Sequence, residues 1–108
     1  MVTPSVQNVI TEYKKTVKAN LSRPRFFVFG SASTGCMTKD SDIDLMVVSP
    51  SFADLNDIQR MELLSRFRHG VARKTPMDII GLSPTEFIDM KKQKNIYCQD
   101  ILRTLEKV

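Results

Sequence analysis

The sequence predicts one α+β domain spanning residues 1–108, and three observations lead there. Short apolar, β-branched and aromatic runs at 25–29, 43–48 and 77–80 read as strands. Between and around them, apolar residues recur at helical spacing. The resulting order is helix, strand, strand, helix, strand, helix, helix, with no internal repeat, low-complexity tract or linker. A chain of 108 residues is long enough for one core but too short for a catalytic domain plus a substrate-recruiting one.

The first helix is expected over about 4–20. Thr3-Pro4 resembles an N-cap with proline at the first helical position, and Val6, Ile10, Tyr13 and Val17 follow on one face. Pro24 forces a break before the strand Arg25 to Phe29, which Gly30 ends. Ser31 to Thr34 fits one helical turn in a polar connection containing Gly35, and Ile43 to Val48 is the second strand, closed by Ser49-Pro50-Ser51. Ser51, three residues ahead of Asp54, predicts a helix start; Leu55, Ile58, Met61, Leu64 and Phe67 predict its buried face. That helix should run to about His69, with Gly70 as its C-terminal cap. Met77 to Ile80 is the third strand, stopped by Gly81. Ser83-Pro84-Thr85-Glu86 is a capping box opening a short helix, and Tyr97, Ile101, Leu105 and Val108 mark the last one.

Composition narrows the class. With 42% hydrophobic and 26% charged residues the chain is an ordinary globular protein. It has no apolar run of membrane-spanning length and no basic-then-apolar leader, so a cytoplasmic protein without a membrane partner is expected. Cys36 and Cys98 form no Cys-x-x-Cys pair, which argues against zinc and redox motifs. The net charge of +4 is spread over Arg23/Arg25, Arg66 to Lys74 and Lys91 to Lys94, a field that attracts polyanions such as nucleotides or RNA.

The chemistry concentrates in Gly30-Ser31 and in Lys39-Asp40-Ser41-Asp42-Ile43-Asp44. Side chains alternate along a strand, so Asp42 and Asp44 share a face, with Cα atoms roughly 6.5 Å apart. Carboxylates so close repel one another in a poorly solvated cleft, and a divalent cation removes that penalty. Oxygen-only ligands suit Mg²⁺ or Mn²⁺. An isolated Asp-x-Asp reads as a turn at a strand start. The Gly-Ser turn one strand earlier changes that reading, because Gly30 admits a close ligand and Ser31 adds a hydroxyl and an N–H suited to phosphate oxygens. Asp78 lies inside an apolar strand, where a charge is costly unless it faces a cation; by itself it reads as an edge residue exposed to water, and with the upstream motif as the natural third ligand and candidate base.

Two rival motifs fail. Gly30 and Gly35 have Walker A spacing, but Cys36-Met37 stands where Lys and Ser/Thr are required. Asp40, Asp42 and Asp44 match the start of a calcium-binding EF-hand loop, but Leu45 replaces its glycine and Ser51 its glutamate.

The combination of Gly30-Ser31, Ser41-Asp42-Ile43-Asp44-Leu45 and downstream Asp78 resembles the polymerase-β-like nucleotidyltransferase superfamily. The small size resembles its minimal bacterial and archaeal members, often encoded as antitoxin beside a HEPN-domain toxin. The resemblance implies a small mixed β-sheet flanked by helices. It further implies Mg²⁺-dependent transfer of AMP from ATP to a hydroxyl of that partner protein. Asp42, Asp44 and Asp78 would be catalytic and hold the metal; Gly30, Ser31, Ser41 and Lys39 would bind nucleotide. Minimal members commonly carry Gly-Ser-Arg-Ala-Arg-Gly, whereas this chain has Gly30-Ser31-Ala32-Ser33-Thr34-Gly35. The loss of two cations should weaken triphosphate binding or leave it to Lys39, Arg23 or Arg25, and the alternative function is a non-catalytic antitoxin that neutralises its partner by complex formation. RNA and a second copy of the chain are the other partners in view.

The remaining singular residues have structural readings. His69 fits a helix C-terminus on the surface. Met46, Met61, Met77 and Met90 fit core filling, and Lys91 to Lys94 a solvated helix end.

Overall fold

The computed structural model describes residues 2–108. Helix α1 (Pro4–Asn20) starts where the sequence places it, with the Thr3 hydroxyl accepting from the Val6 N–H. Strand β1 (Arg25–Phe29) leads through Gly30 into the single turn α2 (Ser31–Thr34), and β2 (Ile43–Val48) follows. After a 3₁₀ turn at Pro50–Phe52 come α3 (Asp57–Arg66), α4 (Val71–Lys74), β3 (Met77–Leu82), α5 (Pro84–Lys92), α6 (Ile96–Thr104) and β4 (Glu106–Lys107). The strands form one four-stranded sheet in the order β3-β2-β1-β4. It is mixed: β1 is antiparallel to β2 and β4, and β2 is parallel to β3. This is the expected small mixed sheet flanked by helices.

Period-two alternation sorts the core into two layers. Ile43, Leu45 and Val47 face α1 and α3 together with Phe26 and Val28. Met46 and Val48 face α5 and α6 with Phe27, Phe87, Met90 and Ile101. Tyr13 reaches from α1 across the first layer, its hydroxyl donating to the Leu64 carbonyl at 2.7 Å. In the second layer Phe27 and Phe87 stack at 4.9 Å between ring centroids. Lys91, expected to be free in solvent, sits 4.3 Å from the centre of the Phe87 ring.

Several boundaries differ from expectation. Helix α3 starts at Asp57, because Asn56 and Gln59 form a reciprocal capping box, while Ser49 caps the preceding 3₁₀ turn. Along this helix Ile58 is 68% and Met61 67% exposed, and Arg60 is buried instead. The guanidinium of Arg60 pairs with Glu86 at 2.7 Å and donates to the carbonyls of Phe52, Leu55 and Gly81. Gly70, at φ +56°, precedes α4 as its N-cap, and α3 closes at Phe67. Gly81 does not stop β3: the strand runs through it, and a Cβ there would meet the Phe52 ring at 2.9 Å. The last helix ends at Thr104, so Glu106 and Lys107 pair with Val28 and Phe27 as a fourth strand. Tyr97 is 67% exposed rather than on a buried face.

Candidate active site

The antiparallel β1–β2 pair sets Phe29 opposite Asp44, and the parallel β2–β3 pair sets Asp44 opposite Asp78. Partners on one rung point to the same face, so Asp44 and Asp78 project together, and Asp42 joins them one pleat earlier. Their face is the α5/α6 face, since Met46, Val48, Ile80 and Leu82 continue it into the second core layer. The carboxylates therefore stand at the open end of that layer. Asp44 is half-buried, Asp42 and Asp78 exposed.

Burial raises the Asp44 carboxyl above its usual range, and the nearby charges of Asp78 and Asp42 raise it further. The three acids are thus electrostatic neighbours. Among the described residues, no three His, Cys, Asp or Glu side chains are arranged to hold a metal ion. The donor chemistry itself, carboxylate oxygens repelling across one rung, fits a hard divalent cation.

Gly30 meets the same acid from the β1 side. Its φ is +66°, and a Cβ built on it would fall 2.5 Å from Oδ2 of Asp44. Only glycine satisfies both the left-handed backbone and the close approach. The Gly30 N–H donates to Oγ1 of Thr104 at 2.8 Å. That bond takes up the Gly30 N–H, and the N–H and hydroxyl of Ser31 are the next donors along the turn. Thr104 carries no sequence motif and lies 74 positions from Gly30, so no local signal points to it.

Ser41 is engaged locally. Its hydroxyl accepts from the Thr38 N–H at 3.0 Å, and its own N–H donates to the Thr38 carbonyl at 3.1 Å. This turn sets the entry into Asp42 and holds Lys39, exposed, at its tip. Arg25 and Arg23, expected near the phosphates, are at the wrong end of β1. Arg25 is paired with Val48 and lies over the Phe87 ring, one strand length, roughly 16 Å, from Gly30. Lys39 alone of the three stays on the side of the carboxylates. Ala32 is fully buried in the first core layer, so an arginine there would need that layer to repack, whereas Thr34 is exposed.

The nucleotidyltransferase domain family model matches residues 10–103. No curated protein sequence matches the chain. Among solved structures, a toxin–antitoxin complex with AMP-PNP is 23% identical, with a TM-score of 0.60 over 90% of this chain and 69% of that one. A Sulfolobus solfataricus protein described as a candidate nucleotidyltransferase is 22% identical, with a TM-score of 0.55 over 99% of this chain and 87% of that one. A toxin–antitoxin MntA-HpeT variant, in which two aspartates two positions apart are replaced by glutamate, is 20% identical. It reaches a TM-score of 0.57 over 90% of this chain and 69% of that one. These structural likenesses concern the fold. No helix among the described residues is long and apolar enough to cross a membrane. With the family match extending over both carboxylate strands and the Gly-Ser turn, the chain belongs to the nucleotidyltransferase domain family.

Proposed function

We propose that this chain transfers AMP from ATP, with Mg²⁺ or Mn²⁺, to a hydroxyl of a partner protein of the HEPN-type toxin class. The observation that carries the reading is the placement of Asp44: in register with Asp78, two residues from Asp42, and against Gly30. Further support comes from two structural neighbours, a toxin–antitoxin complex with AMP-PNP and the MntA-HpeT aspartate variant, whose altered pair has the spacing of Asp42 and Asp44.

In this reading Ser31 holds the terminal phosphates through its N–H and hydroxyl. Asp78 accepts the proton of the attacking hydroxyl, whose oxygen bonds to the α-phosphorus. The bond from that phosphorus to the bridging oxygen breaks, and pyrophosphate leaves. Asp42 and Asp44 would hold the divalent ion, which when bound supplies charge neutralisation to the phosphates and to the carboxylates themselves. Lys39 at its exposed turn adds a cation on the same side.

The decisive measurement is Mg²⁺-dependent labelling of a co-expressed partner by α-labelled ATP. Wild type should label and Asp44→Asn should not; undiminished labelling by the variant refutes the assignment. One observation favours a second reading, a non-catalytic antitoxin acting by complex formation: the turn lacks both arginines, and Ala32 occupies core space. Thermal stability that does not rise with millimolar MgATP, alongside tight partner binding, would establish that second reading.

A further inference from the structure

Beyond Asp78 the surface changes character in a way the transfer site does not use. Strand β3 is an edge strand. Its even-numbered backbone groups face β2, as the Ile43 N–H to Pro76 carbonyl and Ser49 N–H to Leu82 carbonyl bonds demonstrate. Its odd-numbered groups face outward. Two arginines cover the ends of that edge: Arg60 donates to the Gly81 carbonyl at 3.1 Å and Arg68 to the Thr75 carbonyl at 2.6 Å. Between them, no bond from another described residue is recorded to the N–H and C=O of Met77 and Ile79, on either side of Asp78.

Helix α3 runs beside this window. Ile58, Met61 and Ser65 recur on its outward face, and the first two are among the most exposed apolar side chains of the described residues. An apolar groove of about 420 Å³ opens on the Leu82 side, lined by Met61, Ile80 and Tyr97 among others. A notch of about 150 Å³ holds Met61, Arg68 and Asp78 together. Past it, Arg66, Arg68, His69 and Arg73 line a basic depression of about 450 Å³. Glu62 is the only acid from position 58 to 77.

We infer that this track is the docking surface for a protein segment, extended and carrying apolar residues followed by an acidic one. The apolar residues enter the groove beside Met61, the backbone pairs with Met77 and Ile79, and the acidic residue meets Arg66 and Arg73. Asp78 lies between the two anchoring regions. The inference rests on the reading of Asp78 as the acceptor-side acid, and it adds how the acceptor is held. Exposed Met, Ile and Tyr interleaved with Arg is the composition of a protein interface. Polynucleotide sites carry stacking aromatics among their cations, and the one aromatic within the basic segment, Phe67, is buried. Edge-strand addition supplies affinity through main-chain bonds, with specificity left to the flanking pockets.

The test pans a phage-displayed random-peptide library on the full chain without nucleotide, then measures the enriched peptide by fluorescence anisotropy. Enriched sequences should combine apolar and acidic residues. Met61→Glu and Arg66→Glu, both at exposed positions, should each weaken binding about tenfold or more. Ile88→Glu, exposed on α5, should leave it unchanged. The MgATP-induced thermal shift, measured on the same variants, should not move, so loss of docking is separable from failure of the nucleotide site. No enrichment, enrichment of basic peptides, or binding indifferent to both α3 variants overturns the inference. Salt-sensitive binding of oligoadenylate that Arg66→Glu abolishes, with no peptide enriched, assigns the surface to a polynucleotide instead.

Discussion

The carboxylate of Asp44 occupies the space that a Cβ at Gly30 would need: 2.5 Å separates the ideal Cβ position from Oδ2. The turn that exposes the Ser31 donors and the strand that carries the acid are therefore fitted to each other. Gly30→Ala strains a backbone at φ +66° and pushes Asp44 aside. It should cost about 1–2 kcal/mol in stability, read by thermal or urea unfolding. Labelling should fall at least about tenfold beyond what the lost folded fraction explains, because Asp44 moves off its rung with Asp78.

Asp44→Asn should stabilise the metal-free protein at neutral pH while abolishing transfer. The sign follows from linkage: a carboxyl raised in the folded state binds its proton more tightly there than in the unfolded chain. Its stabilising contribution is complete below the unfolded value and is lost as pH rises through the folded one. Wild type should lose stability relative to the variant as pH rises from the ordinary carboxylate range through the raised folded value, in unfolding curves taken without divalent ions. Added Mg²⁺ should narrow or reverse the difference, since the cation binds only the ionised set.

Tyr13→Phe tests the clamp between α1 and α3. The variant leaves the buried Leu64 carbonyl without its partner and should cost about 1–2 kcal/mol. At roughly 4–8 °C per kcal/mol this is readily seen by circular dichroism. Burial pushes the Tyr13 phenol well above its usual range, opposed only in part by Arg68, so the penalty should stay constant from pH 6 to 9.

Arg60→Met should lower stability by about 3 kcal/mol or more, because the acceptors at Phe52, Leu55, Gly81 and Glu86 lose their donor together. Burial raises the Glu86 carboxyl, but bonds from the Ser83 backbone and Arg60 outweigh it and hold it below its usual range. Wild-type stability from this group should be lost as pH falls through the folded value, and Arg60→Met should blunt that acid sensitivity.

Thr34→Arg introduces a cation at the exposed end of α2, near the turn that lacks one. If Ser31 holds the terminal phosphates, MgATP affinity should rise about threefold to tenfold, measured by titration calorimetry. Unchanged affinity would place the phosphates elsewhere.

Much of this architecture was legible locally. Thr3-Pro4, the Ser83 to Glu86 box and the β-branched runs each signal their element through contacts within a few residues, and the structure keeps all of them. Gly30, Asp42, Asp44 and Asp78 were legible because alternation and register put them together once the strands were known. What failed depended on tertiary choice. Ser51 and Asn56 both offer caps, and Arg60 is buried by partners that include the distant Gly81 and Glu86, while Met61 is left exposed. Gly81 looked like a stop signal, yet it is glycine because the Phe52 ring lies against it. Glu106 and Lys107 have no strand signature and pair only because β1 leaves an open edge.

The bond from Gly30 to Thr104 has a consequence for the order of assembly. During vectorial synthesis the Gly-Ser turn emerges when most of the sheet is still untranslated, and its N–H acquires its acceptor only after 74 further residues. Strand β4, which pairs with β1 just upstream of that turn, arrives later still. The bond that holds the Gly30 N–H therefore forms only after helix α6 has been made and has docked. A product stopped before Thr104 would carry Asp42, Asp44 and Asp78 but lack the acceptor that holds Gly30 beside Asp44.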